Sequence, residues 1–207
     1  VRTLEEKLGA PFTIVFGQTE CSPIASMTRP TDTIEDKAGT IGPPMPNVEV
    51  RIVDPESGET LPIGEVGEYL TRGYHVMHEY FEMPEATAET IDADGWLHTG
   101  DLAAMDDRGY CTVEGRLKDM IIRGGENIYP KELEELLFAH DAVGEVAIVG
   151  LPDDTWGETV GAFIRPALGA TVDKQQLFSY LREHLAPHKT PRQWFAVEEF
   201  PFTGSGK

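Results

Sequence analysis

Four polar clusters interrupt the apolar pattern of this chain with glycine and hydrogen-bonding side chains, and each has the residue types for a specific piece of chemistry. Phe16-Gly17-Gln18-Thr19-Glu20 closes a predicted strand. A Thr hydroxyl there can donate to a phosphate oxygen, and a carboxylate beside it suits Mg²⁺, which takes one or two carboxylates plus substrate phosphates. Gly17 would let a ligand approach the backbone closely. His98-Thr99-Gly100-Asp101 offers a carboxylate of the kind that accepts both hydroxyls of a ribose. Gly115-Arg116-Leu117-Lys118-Asp119 continues to Gly124-Gly125-Glu126-Asn127, where paired glycines permit positive φ and contact with a ligand. The chain closes on Thr203-Gly204-Ser205-Gly206-Lys207, which is not a P-loop, because Pro201 stands where that motif needs its first glycine and no Ser or Thr follows Lys207. A lysine on a Gly/Ser strip still delivers a point charge to a carboxylate or phosphate. Taken singly, the first three clusters also read as a strand entering a polar turn, an Asp-containing turn, and a domain linker followed by a helix-entry turn.

Other chemistry lacks an anchor. His75 and His78 are spaced like a metal pair, but no third ligand stands at a recognisable distance. No Ser or Cys occupies a Gly-x-Ser-x-Gly elbow. Trp96, Trp156 and Trp194 are expected to be core or interface aromatics.

The elements that must position these clusters fall into two regions. Up to residue 117 the pattern is rich in strands and turns: Thr13-Ile14-Val15-Phe16, the alternation Val48-Glu49-Val50-Arg51-Ile52-Val53, and Gly67-Glu68-Tyr69-Leu70-Thr71, with Asp54-Pro55-Glu56-Ser57-Gly58 and Asp106-Asp107-Arg108-Gly109 as connectors. From residue 118 helices and strands alternate. Pro130 opens a helix with Leu133, Leu136 and Leu137 as its apolar stripe. Strands follow at 145–150 and 159–164 around a turn at Pro152-Asp153-Asp154, Asp173 caps a second helix, and Trp194-Phe195-Ala196-Val197 is a last strand. The expected class is α+β, divided into residues 1–117 and 118–207.

Composition removes several functions. With 17 basic against 36 acidic residues the net charge is -19, so a nucleic-acid or membrane-surface role would need a basic patch, and none is present. Cys21 and Cys111 fit neither a disulfide framework nor a zinc motif, which points to a reducing, cytoplasmic compartment. No apolar run has the ~20 residues that span a bilayer, so no transmembrane segment is expected. The chain starts at Val1 without Met and stops at Lys207, and we expect a piece of a longer protein.

In order and approximate spacing these clusters resemble the later core motifs of the adenylate-forming (ANL) superfamily, which includes acyl-CoA synthetases, peptide-synthetase adenylation domains and luciferases. Thr40-Ile41-Gly42-Pro43-Pro44, Gly64-Glu65-Val66-Gly67-Glu68 and Gly124-Gly125-Glu126-Asn127-Ile128-Tyr129-Pro130 belong to the same series. The resemblance implies that residues 1–117 are the β-rich end of a large N-terminal domain and 118–207 a small, mobile α+β C-terminal lid domain. It implies an acid–CoA ligase: ATP-dependent activation of a carboxylic acid to an acyl-adenylate, then transfer to CoA with release of AMP; residues 124–130 and 72–90 resemble those of synthetases for medium-chain fatty acids, with aryl-CoA ligases close to them. The implied substrates and cofactors are ATP, Mg²⁺ and CoA. By resemblance Phe16 stacks on adenine, Gly17 and Gln18 line the nucleotide, Thr19 touches phosphate, Glu20 holds Mg²⁺, and Asp101 with Arg116 holds the ribose. Lys118 is the hinge, where many relatives have Asp. Lys207 is the catalytic cation between carboxylate and α-phosphate. Gly124, Gly125 and Glu126 line the CoA channel, with Trp156 and Arg192 near its nucleotide. The family's Gly/Ser/Thr-rich phosphate loop is not in this sequence, so the isolated chain is expected not to turn over. A peptide-synthetase adenylation domain, favoured if a carrier domain follows, and a non-catalytic nucleotide- or CoA-binding module are the alternatives.

Overall fold

A computed structural model of the chain describes residues 1–201. The mixed α+β class expected from the sequence is present, in two compact units, Val1–Leu117 and Lys118–Lys207.

The first unit is built on a four-stranded antiparallel sheet in the order β3-β4-β5-β6, with β3 Val48–Val53, β4 Gly67–Gly73, β5 Leu97–Met105 and β6 Cys111–Arg116. A separate two-stranded ribbon pairs β1 (Val15–Phe16) with β2 (Ser26–Met27). Three short helices, α1 Arg2–Leu8, α2 Ile34–Gly39 and α3 Pro84–Thr90, are additions to the expected strand-and-turn pattern. Their starts have local causes. Thr33 caps α2 by accepting the Asp36 amide while its hydroxyl donates to the Asp36 carboxylate, and Pro84 occupies the first turn of α3. The core gathers Cys21, Ala25, Ile52, Tyr69, Leu97, Ala103 and Cys111. β4 is buried from Gly67 to Thr71, so the ladder runs through the interior of this unit.

The second unit opens with the hairpin β7 (Ile121–Arg123) and β8 (Glu126–Ile128). Helix α4 (Pro130–Phe138) follows, with Pro130 in its first turn as the sequence indicates and Leu133 and Leu137 buried. β9 (Val143–Asp153) and β10 (Gly157–Pro166) form a long antiparallel pair, and β11 (Gln193–Ala196) runs parallel to β10. The turn between β9 and β10 covers residues 154–156, two residues beyond the expected Pro152-Asp153-Asp154 turn, because β9 continues to Asp153. Helix α5 (Lys174–His184) is capped by Asp173, whose carboxylate accepts the amides of Gln175 and Gln176. Leu133, Leu137, Leu177 and Leu181 of the two helices pack with Val160, Ala162 and Ile164 of β10. Among the described residues no helix is long and apolar enough to cross a membrane.

Candidate functional site

The Phe16–Glu20 cluster lies where β1 gives way to a 3-10 turn, Thr19–Cys21. Phe16 packs edge-on against buried Tyr69, with ring centroids 4.9 Å apart, which leaves it half-buried. Gly17 is a glycine for packing: a Cβ there would stand 1.5 Å from the Pro23 carbonyl oxygen, so the neighbouring backbone takes the space a side chain would need, while the residue stays exposed. Gln18 reaches away from the turn, and its Nε2 donates to the Thr99 carbonyl at 3.1 Å and to Asp101 Oδ2 at 3.4 Å. Thr19 is exposed. Glu20 is half-buried; the Tyr80 hydroxyl donates to its Oε1 at 2.8 Å, and the Met77 amide donates to its backbone carbonyl. The Tyr80 hydroxyl is harder to ionise than usual, chiefly because it donates to this carboxylate.

Asp101 sits on β5, not on a turn, and the strand is irregular there. Glu68 of β4 pairs with Leu102 and Leu70 pairs with His98, so Tyr69 alone opposes Thr99, Gly100 and Asp101. The β5–β6 ladder also shifts: Leu102 pairs with Gly115 and Ala103 with Val113, which leaves Glu114 as the extra residue. Bulges of this kind re-aim side chains and end regular pairing. Gly100, at φ +70, supplies a backbone conformation that other residues rarely adopt. Hydrogen bonds from side chains close the gap. The Thr99 hydroxyl donates to the Tyr69 carbonyl at 2.6 Å and accepts the Asp101 amide at 3.1 Å. Asp101 is directly paired with Arg116 across the ladder, with Arg116 Nε 3.5 Å from Asp101 Oδ1.

The two partners differ in exposure: the Asp101 side chain is 15% accessible and the Arg116 side chain 62%. Burial pushes the Asp101 carboxyl above its ordinary value, Arg116 opposes the shift, and nearby Glu68 adds to it. The arrangement gives a half-sequestered carboxylate flanked by a cation and an amide, beside the Thr19 turn. A vicinal diol can donate to such a carboxylate, and the exposed Thr19 carries a hydroxyl that can donate to a phosphate oxygen. Glu20 suits a hard cation, because Tyr80 fixes one of its oxygens and no hydrogen bond among the described residues engages the other.

The second unit holds the other candidates. Lys118 is exposed, the first residue of that unit, in the 3-10 turn Leu117–Asp119. Gly124 and Gly125 are not a linker but the two-residue turn of the β7–β8 hairpin, with φ +61 and +85, the positive pair that a I′-type hairpin turn demands. A Cβ on Gly124 would lie 2.6 Å from Trp156 Cε3, whereas one on Gly125 would meet nothing within 4 Å. The Gly124 amide donates to the Trp156 carbonyl at 2.9 Å. Glu126 is exposed beside the turn. Trp156, at 45% accessible, is no core residue. Buried Arg123, a residue sequence reasoning passed over, lies over the Trp156 ring at 5.4 Å and donates to the His188 carbonyl. Its guanidinium pKa is lowered by burial and then by the charge of Arg192, so Arg192 belongs to the same neighbourhood. Lys207 lies outside the described residues.

Glu68 and Tyr80 were also missed. Their partners are about 30 and 60 positions away, at Gly100 and Glu20, and no local pattern links them. Of the histidine pair, His75 is buried with its Nε2 3.0 Å from the Thr71 hydroxyl, and no group of three metal-ligating side chains occurs among the described residues.

Residues 1–81 match the family model described as AMP-binding enzyme, and residues 132–207 match the one described as AMP-binding enzyme C-terminal domain. The mitochondrial medium-chain acyl-CoA ligase ACSF2 of Rattus norvegicus is 45% identical over 194 residues, 94% of this chain and 32% of that protein. Acyl-CoA ligase sidI of Aspergillus fumigatus is 43% identical over 218 residues, 100% of this chain and 37% of that protein. Among solved structures, ATP-bound MatB from Rhodopseudomonas palustris matches with a TM-score of 0.89 and 35% identity, over 99% of this chain and 40% of that chain. The chain thus spans about a third of the length of the curated relatives it matches.

Proposed function

The chain belongs to the adenylate-forming superfamily of AMP-binding enzymes, and from that premise we propose that it is part of an acid–CoA ligase acting on a medium-chain fatty acid. The observation that carries the reading is the convergence of Gln18, Thr99, Asp101 and Arg116 beside the Thr19 turn. In this reading residues 1–117 are the end of the large adenylate-forming domain and 118–207 the small C-terminal domain, with Lys118 as hinge.

The acid's carboxylate oxygen attacks the α-phosphorus of ATP; the new C–O–P linkage forms as the bond to pyrophosphate breaks. The CoA sulfur then attacks the acyl carbon, its thiol proton is lost to solvent, and AMP leaves with the electron pair of the broken C–O bond. Asp101, with Arg116 and Gln18 beside it, fixes the ribose through both steps, and Phe16 offers its free ring surface to adenine. Thr19 donates to the phosphate. Glu20, steadied by Tyr80, would hold Mg²⁺, which supplies neutralisation of phosphate charge. Lys207 would add a cation at the developing negative charge. In the second step Gly124, Gly125 and Glu126 border the thiol's path, and Trp156 and Arg192 meet the nucleotide end of CoA.

Acid-dependent exchange of labelled pyrophosphate into ATP by the full-length protein tests this. Exchange with octanoate or decanoate, abolished by Asp101→Ala, is expected; exchange driven by amino acids instead would favour a peptide-synthetase domain. The 207 residues alone are expected to release no pyrophosphate.

A further inference from the structure

The bulge that aims Asp101 has to be held by something other than the ladder. With Tyr69 alone opposing Thr99, Gly100 and Asp101, the Gly100 amide has no strand partner. Glu68 fills that role. Its side chain is 8% accessible, its Oε1 accepts the Gly100 amide at 3.1 Å, and its Oε2 lies 2.9 Å from His98 Nδ1. One carboxylate therefore grips β5 at His98, just before the bulge, and at Gly100 within it, while the Thr99 hydroxyl ties the same bulge to Tyr69 and to the Asp101 amide. Burying a carboxylate is expensive unless its oxygens are bonded, and here both are. An apolar side chain at position 68 would leave the Gly100 amide unpaired in a partly buried place.

We infer that Glu68 is a positioning residue for nucleotide recognition: it fastens the Thr99-Gly100-Asp101 bulge so that the Asp101 carboxylate is presented to a ribose diol. This rests on the reading of Asp101 given above. Glu68 does not touch the nucleotide, and it acts only through the geometry of β5. Two properties follow. Loss of Glu68 should matter only for ligands whose ribose hydroxyls can use Asp101. Gln at position 68 should rescue, since its amide oxygen can accept the Gly100 amide and its amide nitrogen can donate to the other tautomer of His98.

The test is titration of the full chain with AMP and with 2′,3′-dideoxy-AMP, for the unaltered protein and for Glu68→Leu, Glu68→Gln, Gly100→Ala and Asp101→Ala, with a thermal melt of each. Glu68→Leu is expected to weaken AMP about 10-fold, on the scale of a lost hydrogen bond to a charged group, and to leave dideoxy-AMP within about 2-fold. Glu68→Gln should restore AMP binding. If Glu68→Leu does not fold, Gly100→Ala carries the test, because a Cβ there meets no neighbour and disturbs only the backbone conformation of the bulge. Equal weakening of both ligands by the variant that folds would mean general damage and overturn the inference. So would an unchanged AMP affinity. Asp101→Ala separates the two layers: if it leaves AMP binding intact, the ribose reading itself fails, whereas if it weakens AMP and neither Glu68→Leu nor Gly100→Ala does, only the positioning role fails.

Discussion

The β5 bulge of the first unit and the Gly124-Gly125 turn of the second both place glycine at positive φ in a sheet, yet they are held in opposite ways. At β5 the backbone is irregular and side chains do the holding: Glu68, Thr99 and Gln18 each bond a main-chain group near Asp101. At the Gly-Gly turn the backbone is a regular two-residue hairpin, and a ring presses on it from outside. In the first region the loss of a polar side chain should therefore show in ligand geometry, while in the second the loss of a glycine should show in stability.

Ligand binding in the first region should change most. Asp101→Ala should weaken AMP by about 100-fold, two hydrogen bonds to a charged group being lost, while the melting temperature moves little; calorimetry and a melt on one preparation check both. A large loss of stability would break the contrast. The second region should respond in stability. Gly124→Ala sets a Cβ against Trp156 at a positive φ and should cost about 2 kcal/mol, in the range of overpacking. Gly125→Ala meets only the conformational penalty, about 1 kcal/mol. Denaturant unfolding followed by fluorescence should rank them in that order, and equal effects would remove Trp156 from the explanation. Asp173→Ala, which takes one cap from α5, should cost about 1 kcal/mol.

The smallest effect concerns pH. Burial holds the His75 imidazole below its ordinary value, so the stability from keeping it neutral is full above about pH 6.5, the unfolded pKa, and is lost as pH falls below it, where the unfolded chain takes up the proton first. His75→Gln should flatten the acid side of a plot of melting temperature against pH. An unchanged slope would show that other groups set it.

Much of this was legible in the sequence because it is local. The alternation over Val48–Val53, Pro130 at a helix start and Asp173 as a cap each act within a few residues, and the structure has all three. Thr99-Gly100-Asp101 reads as a turn because its residue types are those of turns; that it lies inside a strand depends on how many residues β4 sets against it, which no single segment encodes. The three short helices of the first unit offer only six or seven residues each, too few for a helical period to stand out. Gly17 and Gly124 were readable as special but not as to why, since what lies against them, Pro23 in one case and Trp156 in the other, is fixed by the chain's path.

On the proposed function, the Thr19 turn, the β5 bulge and the end of β6 form one nucleotide site. Amide hydrogen exchange of the chain with and without saturating AMP tests it most directly. Exchange should slow in residues 17–21, 98–102 and 115–117 together, with little change at 143–153 in the second unit. Protection that skips the segment around Asp101, or no protection in any of the three, would contradict it.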